Sequence, residues 1–153
     1  MKPAFRIAAV VLALGALAGA AQLKKSDTVV KAEAKADPVG ADGKQLVTIT
    51  LTIDKGWHLY ANPVGNADLA DSQTTVSVSS KNKVQDVKVE YPEGKLVKDK
   101  VVGDYKTYEG KVTIKATVSR AKGDTEPLDM AVKVQACSES QCLLPATVNL
   151  TAK

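Results

Sequence analysis

Aromatic and metal-ligating side chains are scarce in this chain of 153 residues: one Phe, one Trp, four Tyr, one His and two Met. The lone phenylalanine, Phe5, and Met1 sit at the extreme N-terminus. Copper and zinc sites need several His, Met, Cys or carboxylate ligands converging. His58 with two cysteines is a poor set, so no metal and no other cofactor is expected. Arginine is nearly missing as well, with only Arg6 and Arg120. Base and phosphate recognition favours its planar fork. The lysines are interspersed with acids, as in Lys95, Lys98, Asp99, Lys100, Asp104 and Lys106. The formal net charge of +4 therefore describes a solvated face, and no nucleic-acid partner is expected. There is no Ser-His-Asp set, phosphate loop or carboxylate pair that spacing supports.

Long apolar runs are also lacking. The longest lies at the N-terminus, where Lys2 and Arg6 precede an apolar stretch from Ile7 to Leu17, broken by Gly15 and followed by Ala18-Gly19-Ala20. Even counted with the small residues that follow it is at most about 15 residues, short of the ~20 that span a bilayer. A positive start, a short apolar centre and small residues make a cleavable leader over residues 1–21, cut after Ala20 or Ala21. No cysteine near the cut would carry a lipid. The mature chain then has no membrane span and amounts to about 130 residues, one domain in size. The expected organisation is a leader (1–21), a flexible tail (22–27) and one domain (28–153), exported to the periplasm or an equivalent compartment.

Within that domain apolar and polar residues alternate. Val47, Ile49, Leu51 and Ile53 share one face, as do Val112, Ile114, Ala116 and Val118. Leu128, Met130, Val132, Val134 and Ala136 repeat the pattern, followed by Val148 and Leu150. A period of two marks strands with one buried face. Weaker candidates are 28–35, 74–79 and 84–91. Turn signals fall between them, including Asn62-Pro63, Pro92-Glu93-Gly94 and Glu109-Gly110. No segment has a helical period. About seven short strands in about 130 residues argue for an all-β, immunoglobulin-like antiparallel β-sandwich. Residues 62–73 read as a long loop and 95–106 as an irregular stretch, where binding residues tend to sit.

Cys137 and Cys142 are the only cysteines, in Cys-Ser-Glu-Ser-Gln-Cys. In an oxidising compartment an isolated pair bonds to itself. Their position between two strands places them at the mouths of a hairpin-like turn. A disulfide closing so short a loop contributes roughly 2 kcal/mol by chain entropy, against ~4.7 for a 100-residue loop. The polar turn Ser138 to Gln141 should be exposed, as attack by a partner thiolate requires. No helix N-terminus is at hand to lower a thiol pKa, and Glu139 disfavours a thiolate. Two readings stay open on the residues alone: a structural staple, which the composition favours, or an exchangeable redox pair acting as a passive relay.

Gly56-Trp57-His58-Leu59-Tyr60-Ala61-Asn62-Pro63, then Tyr108-Glu109-Gly110-Lys111-Val112-Thr113-Ile114, then Val134-Gln135-Ala136-Cys137 and Cys142-Leu143-Leu144-Pro145, taken in order, resemble the N-terminal periplasmic domain of DsbD-type thiol:disulfide interchange proteins. The likeness runs from about Thr28 to Leu150. It implies that Cys137 and Cys142 form a redox couple fed by a thioredoxin-like protein or a membrane thiol reductase domain and drained by a periplasmic disulfide protein. It also implies a cap loop, here Val101, Val102, Gly103, Asp104 and Tyr105. By the same analogy Cys142 forms the mixed disulfide. The family's attached membrane and thioredoxin-like domains do not follow within this sequence, so the electron source is expected to be a separate protein. The cap, often aromatic in the family, is Val101-Val102 here, with Tyr105 a substitute. Trp57, Tyr60 and Tyr108 are candidates for core anchors or for a docking surface. The rival reading is a non-catalytic binding or assembly module with a structural hairpin disulfide.

Overall fold

The computed structural model describes residues 23–152. The expected leader, 1–21, lies outside them. Eleven strands are described: β1 (Val30–Ala36), β2 (Lys44–Ile53), β3 (His58–Tyr60), β4 (Thr75–Ser79), β5 (Asp86–Glu90), β6 (Lys95–Val97), β7 (Tyr105–Tyr108), β8 (Lys111–Ser119), β9 (Leu128–Val134), β10 (Ala136–Cys137) and β11 (Ala146–Ala152). Two short 3₁₀ turns, Ser26–Thr28 and Ala67–Ser72, complete the set.

Every strand pairing is antiparallel. One sheet has the order β1-β2-β8-β5, a second β11-β9-β4 and a third β10-β3-β7-β6. The register explains why the alternation was informative. Val47 faces Ala116, Ile49 faces Ile114 and Leu51 faces Val112, so the apolar sets of β2 and β8 meet on one side. They share a single buried cluster with Leu128, Met130, Val132 and Val134 of β9 and Leu59 of β3. Burying each Val, Ile, Leu or Met of this set is worth about 1.5–3 kcal/mol relative to exposure. This is the immunoglobulin-like sandwich expected from the pattern.

Three sequence expectations change. Residues 24–26 are not a loose tail. Ser26 is fully buried, Lys25 forms a parallel bridge with Leu144, and Leu144 N donates to Lys24 O at 3.2 Å. Backbone pairing across the fold, invisible to local composition, anchors this segment. The stretch 95–106 is not wholly irregular, because β6 and the start of β7 form a hairpin in it. Leu96 there is 52% exposed, so no buried alternation betrayed the strand. Gly94 lets this hairpin approach, since a Cβ there would stand 2.5 Å from that of Ala61. The apolar series from Leu128 to Ala136 is split between two sheets, with β9 and β10 separated at Gln135.

Far from the cysteines, at the Lys44 end of β2, a buried polar network closes the sandwich. Arg120 Nη1 donates to Gln45 Oε1 at 2.7 Å and Nε donates to Asp124 Oδ2 at 3.2 Å. Both members of the Arg120–Asp124 ion pair have buried side chains. This arginine is structural.

Candidate functional site

Cys137 ends β10, which pairs with β3 so that Ala136 faces Leu59 and Cys137 faces His58. The chain then turns through Ser138 to Gln141 and returns to Cys142, which bridges Cys137. Ser138 N donates to Gln141 O at 2.8 Å on one side of the bridge, and Leu143 N donates to Ala136 O at 2.9 Å on the other. The cysteines thus occupy a non-hydrogen-bonded pair, where Cα atoms approach most closely. Their Cα atoms are 4.0 Å apart and the sulfurs are bonded. Ser138 Oγ tightens the turn by accepting from the backbone N–H groups of Ser140 and Gln141, each at 3.3 Å.

The two cysteines differ in access. Cys137 is 2% exposed, while Cys142 is exposed. Of the two residues, Cys142 is the one that meets solvent. The buried sulfur has a polar neighbour: Tyr60 Oη donates to Cys137 Sγ at 3.7 Å. Burial, with a smaller contribution from Tyr105, raises the Tyr60 pKa, so the phenol keeps its proton at neutral pH.

Tyr60 sits between two other rings. Its centroid is 5.7 Å from that of Tyr105 and 6.1 Å from that of His58 in an edge-on arrangement. Burial lowers the His58 pKa, partly opposed by Glu109. His58, Trp57, Asp54, Glu109 and Glu139 line a cleft of about 560 Å³ beside the cysteine turn. Trp57 is half-buried and packs against the core. Among the described residues no three His, Cys, Asp or Glu side chains come together as a metal-binding group.

Within the expected cap segment, Tyr105 is linked to the cysteines through Tyr60. Val101 is 93% exposed, so its side chain covers no sulfur. Val102 is 47% exposed, and Gly103 and Asp104 are also exposed. The segment is held by Asp99, whose carboxylate accepts from Val101 N at 2.7 Å and Val102 N at 3.0 Å, and by Asn66 Nδ2, which donates to Val102 O at 2.7 Å. The Asp99 pKa is lowered by those two amides. Gly103 adopts φ +87° to close the turn.

Tyr108 is a correction. It is 4% exposed and offers no docking surface. Its hydroxyl accepts from Asn62 N at 3.1 Å and donates to Pro92 O at 2.9 Å. Its neighbour Leu59 is in the core, and Tyr108 is buried with it.

Sequence reasoning missed Ser26, Asn66 and Asp99. Ser26 Oγ donates to Leu144 O and accepts from Ala136 N, both at 2.8 Å. Nothing local marks such a residue. Asp99 was legible in principle, since an aspartate shortly before a glycine is a turn signal.

Residues 25–152 match the family model of the thiol:disulfide interchange protein DsbD, N-terminal. The reduced DsbD N-terminal domain of Neisseria meningitidis is similar in structure, with a TM-score of 0.53 and 16% identity, covering 82% of this chain and 85% of that one. The N-terminal periplasmic domain of ScsB from Proteus mirabilis has a TM-score of 0.52 and 19% identity, covering 79% of this chain and 44% of that one. At such identities these structures speak for the fold alone. No curated protein matches by sequence.

Proposed function

The chain belongs to the family of thiol:disulfide interchange protein DsbD N-terminal domains, and from that premise we propose that it relays electrons through Cys137 and Cys142 in the periplasm. Family membership and the bonded pair together support thiol–disulfide exchange. The donor is a thioredoxin-like protein or a membrane thiol reductase domain, and the client is a periplasmic disulfide protein.

The observation that carries the relay is the asymmetry of the pair. A donor thiolate attacks Sγ of the more exposed residue, Cys142, along the sulfur–sulfur axis. A bond forms between the donor sulfur and Cys142, the Cys137–Cys142 bond breaks, and its electron pair leaves on Cys137 Sγ. Tyr60 is within reach to donate a hydrogen bond to that developing thiolate. The donor's second thiol then attacks its own sulfur in the mixed disulfide and releases Cys142. The donor ends as a disulfide and this chain as a dithiol, having gained two electrons and two protons. The client step runs the same chemistry in reverse, with Cys142 attacking and Cys137 resolving. Docking engages the face bearing Tyr60, Trp57 and Tyr105, and the Val101–Tyr105 segment yields to the partner.

The burial of Cys137 favours the alternative, a staple in a binding module. Equilibration in glutathione buffers, with alkylated thiols counted by mass spectrometry and folding followed by circular dichroism, separates the two. A relay pair titrates as a folded protein above about −300 mV, and a staple stays oxidised there. The Cys137→Ser chain, with Cys142 left free, should capture a partner as a mixed disulfide. A bond that resists reduction until the sandwich unfolds defeats the proposal.

A further inference from the structure

The paired arms of the cysteine hairpin leave one connection unmade by their own backbones. Leu143 N donates to Ala136 O, but Ala136 N does not return the bond across the hairpin. It donates instead to Ser26 Oγ, and the same hydroxyl passes its proton's bond on to Leu144 O. Ser26 thus spans the base of the hairpin, from the residue before Cys137 to a residue just beyond Cys142. It does not swing freely, because its own N–H donates to Leu144 O at 2.9 Å. Ser26 is fully buried, so no water stands ready to replace either partner of its hydroxyl.

The geometry points to Ser26 as a positioning residue that keeps the two thiols together after the sulfur–sulfur bond opens. The inference rests on the exchange reading above. While the disulfide is closed, the arms are tied covalently and the hydroxyl adds little to their alignment. In the dithiol the hydroxyl limits how far they part. Thiols held close have a high effective concentration, which favours closure. Ser26 therefore makes the pair more reducing and speeds its resolving step.

The test is the equilibrium in which Cys137–SH and Cys142–SH pass two electrons and two protons to oxidised glutathione, giving the disulfide and two glutathione thiols. Ser26→Ala should lower this oxidation constant roughly three- to tenfold, each tenfold being about 30 mV. Ser26→Thr, which retains a hydroxyl, should recover much of it. The wild-type dithiol provides a check that needs no variant: the Ala136 amide should remain protected from hydrogen exchange. Free exchange of that amide on reduction overturns the inference. So does a Ser26→Ala constant equal to wild type with the same stability loss in both redox forms, which marks a merely structural residue. If the wild-type pair cannot be reduced while folded, the exchange reading fails with it. If the wild type exchanges and the alanine variant does so with the same constant, Ser26 alone is refuted.

Discussion

At the scale of single residues, the site turns on which sulfur is buried and what touches it. Tyr60 donates to Cys137 Sγ, the sulfur that would leave in the first step of the proposed exchange. Tyr60→Phe retains the ring that packs at a tilt beside Tyr105 but removes the donor. Opening of the disulfide by a small thiol should slow roughly two- to tenfold, the equivalent of ~0.5–1.5 kcal/mol. Stopped-flow measurement with the thiol in excess reads this directly, and an unchanged rate would show that the contact is incidental. The cysteine pair and Tyr60 were legible as residues worth attention. Their contact was not, because it joins positions 77 residues apart. Tyr108, which opens the second family motif, was open to either a core or a docking role by sequence, and pairing with Leu59 puts it in the core.

At the scale of elements, legibility followed burial. β2, β8 and β9 alternate cleanly because each presents a buried face. β3, β6 and β7 are three or four residues long, too short for a period to emerge. The β6–β7 hairpin therefore has no sequence period to mark it, although it carries Tyr105 to the site. Its tip is held by Asp99 and Asn66 through backbone groups of Val101 and Val102. Asp99→Ala should raise amide exchange at Val101 and Val102 while leaving the melting temperature nearly unchanged, since the turn lies outside the core. The same loosening is expected in wild type at acid pH. The two amides hold the Asp99 pKa below its ordinary value, so the turn is secure above that value and is lost as pH falls through the lowered one. Exchange rates identical in variant and wild type would assign the tip's order to something else.

At the scale of the molecule, the sandwich is held at one end by the Arg120 network and carries its cysteine hairpin at the other, near the Ile53 end of β2. Among the described residues no helix is long and apolar enough to cross a membrane. Global stability should sense His58. Burial lowers its pKa, so the unfolded chain binds its proton more readily. Stability is intact above the ordinary histidine value of about 6.5 and is lost as pH falls below it toward the folded value. Urea midpoints measured at about pH 7.5 and about pH 5.5 should drop more in wild type than in His58→Gln. Equal drops would assign the acid sensitivity to carboxylates.

Alternation, turn residues and cysteine spacing by themselves determined the sandwich, its principal strands and the hairpin that carries the pair, because each is a property of neighbours in the chain. Tertiary structure alone decided that Cys142 is open and Cys137 closed, that Tyr60 meets the buried sulfur, and that Ser26 spans the hairpin from 110 and 118 residues away. Those contacts depend on how separate sheets come into register, and a local period does not encode that.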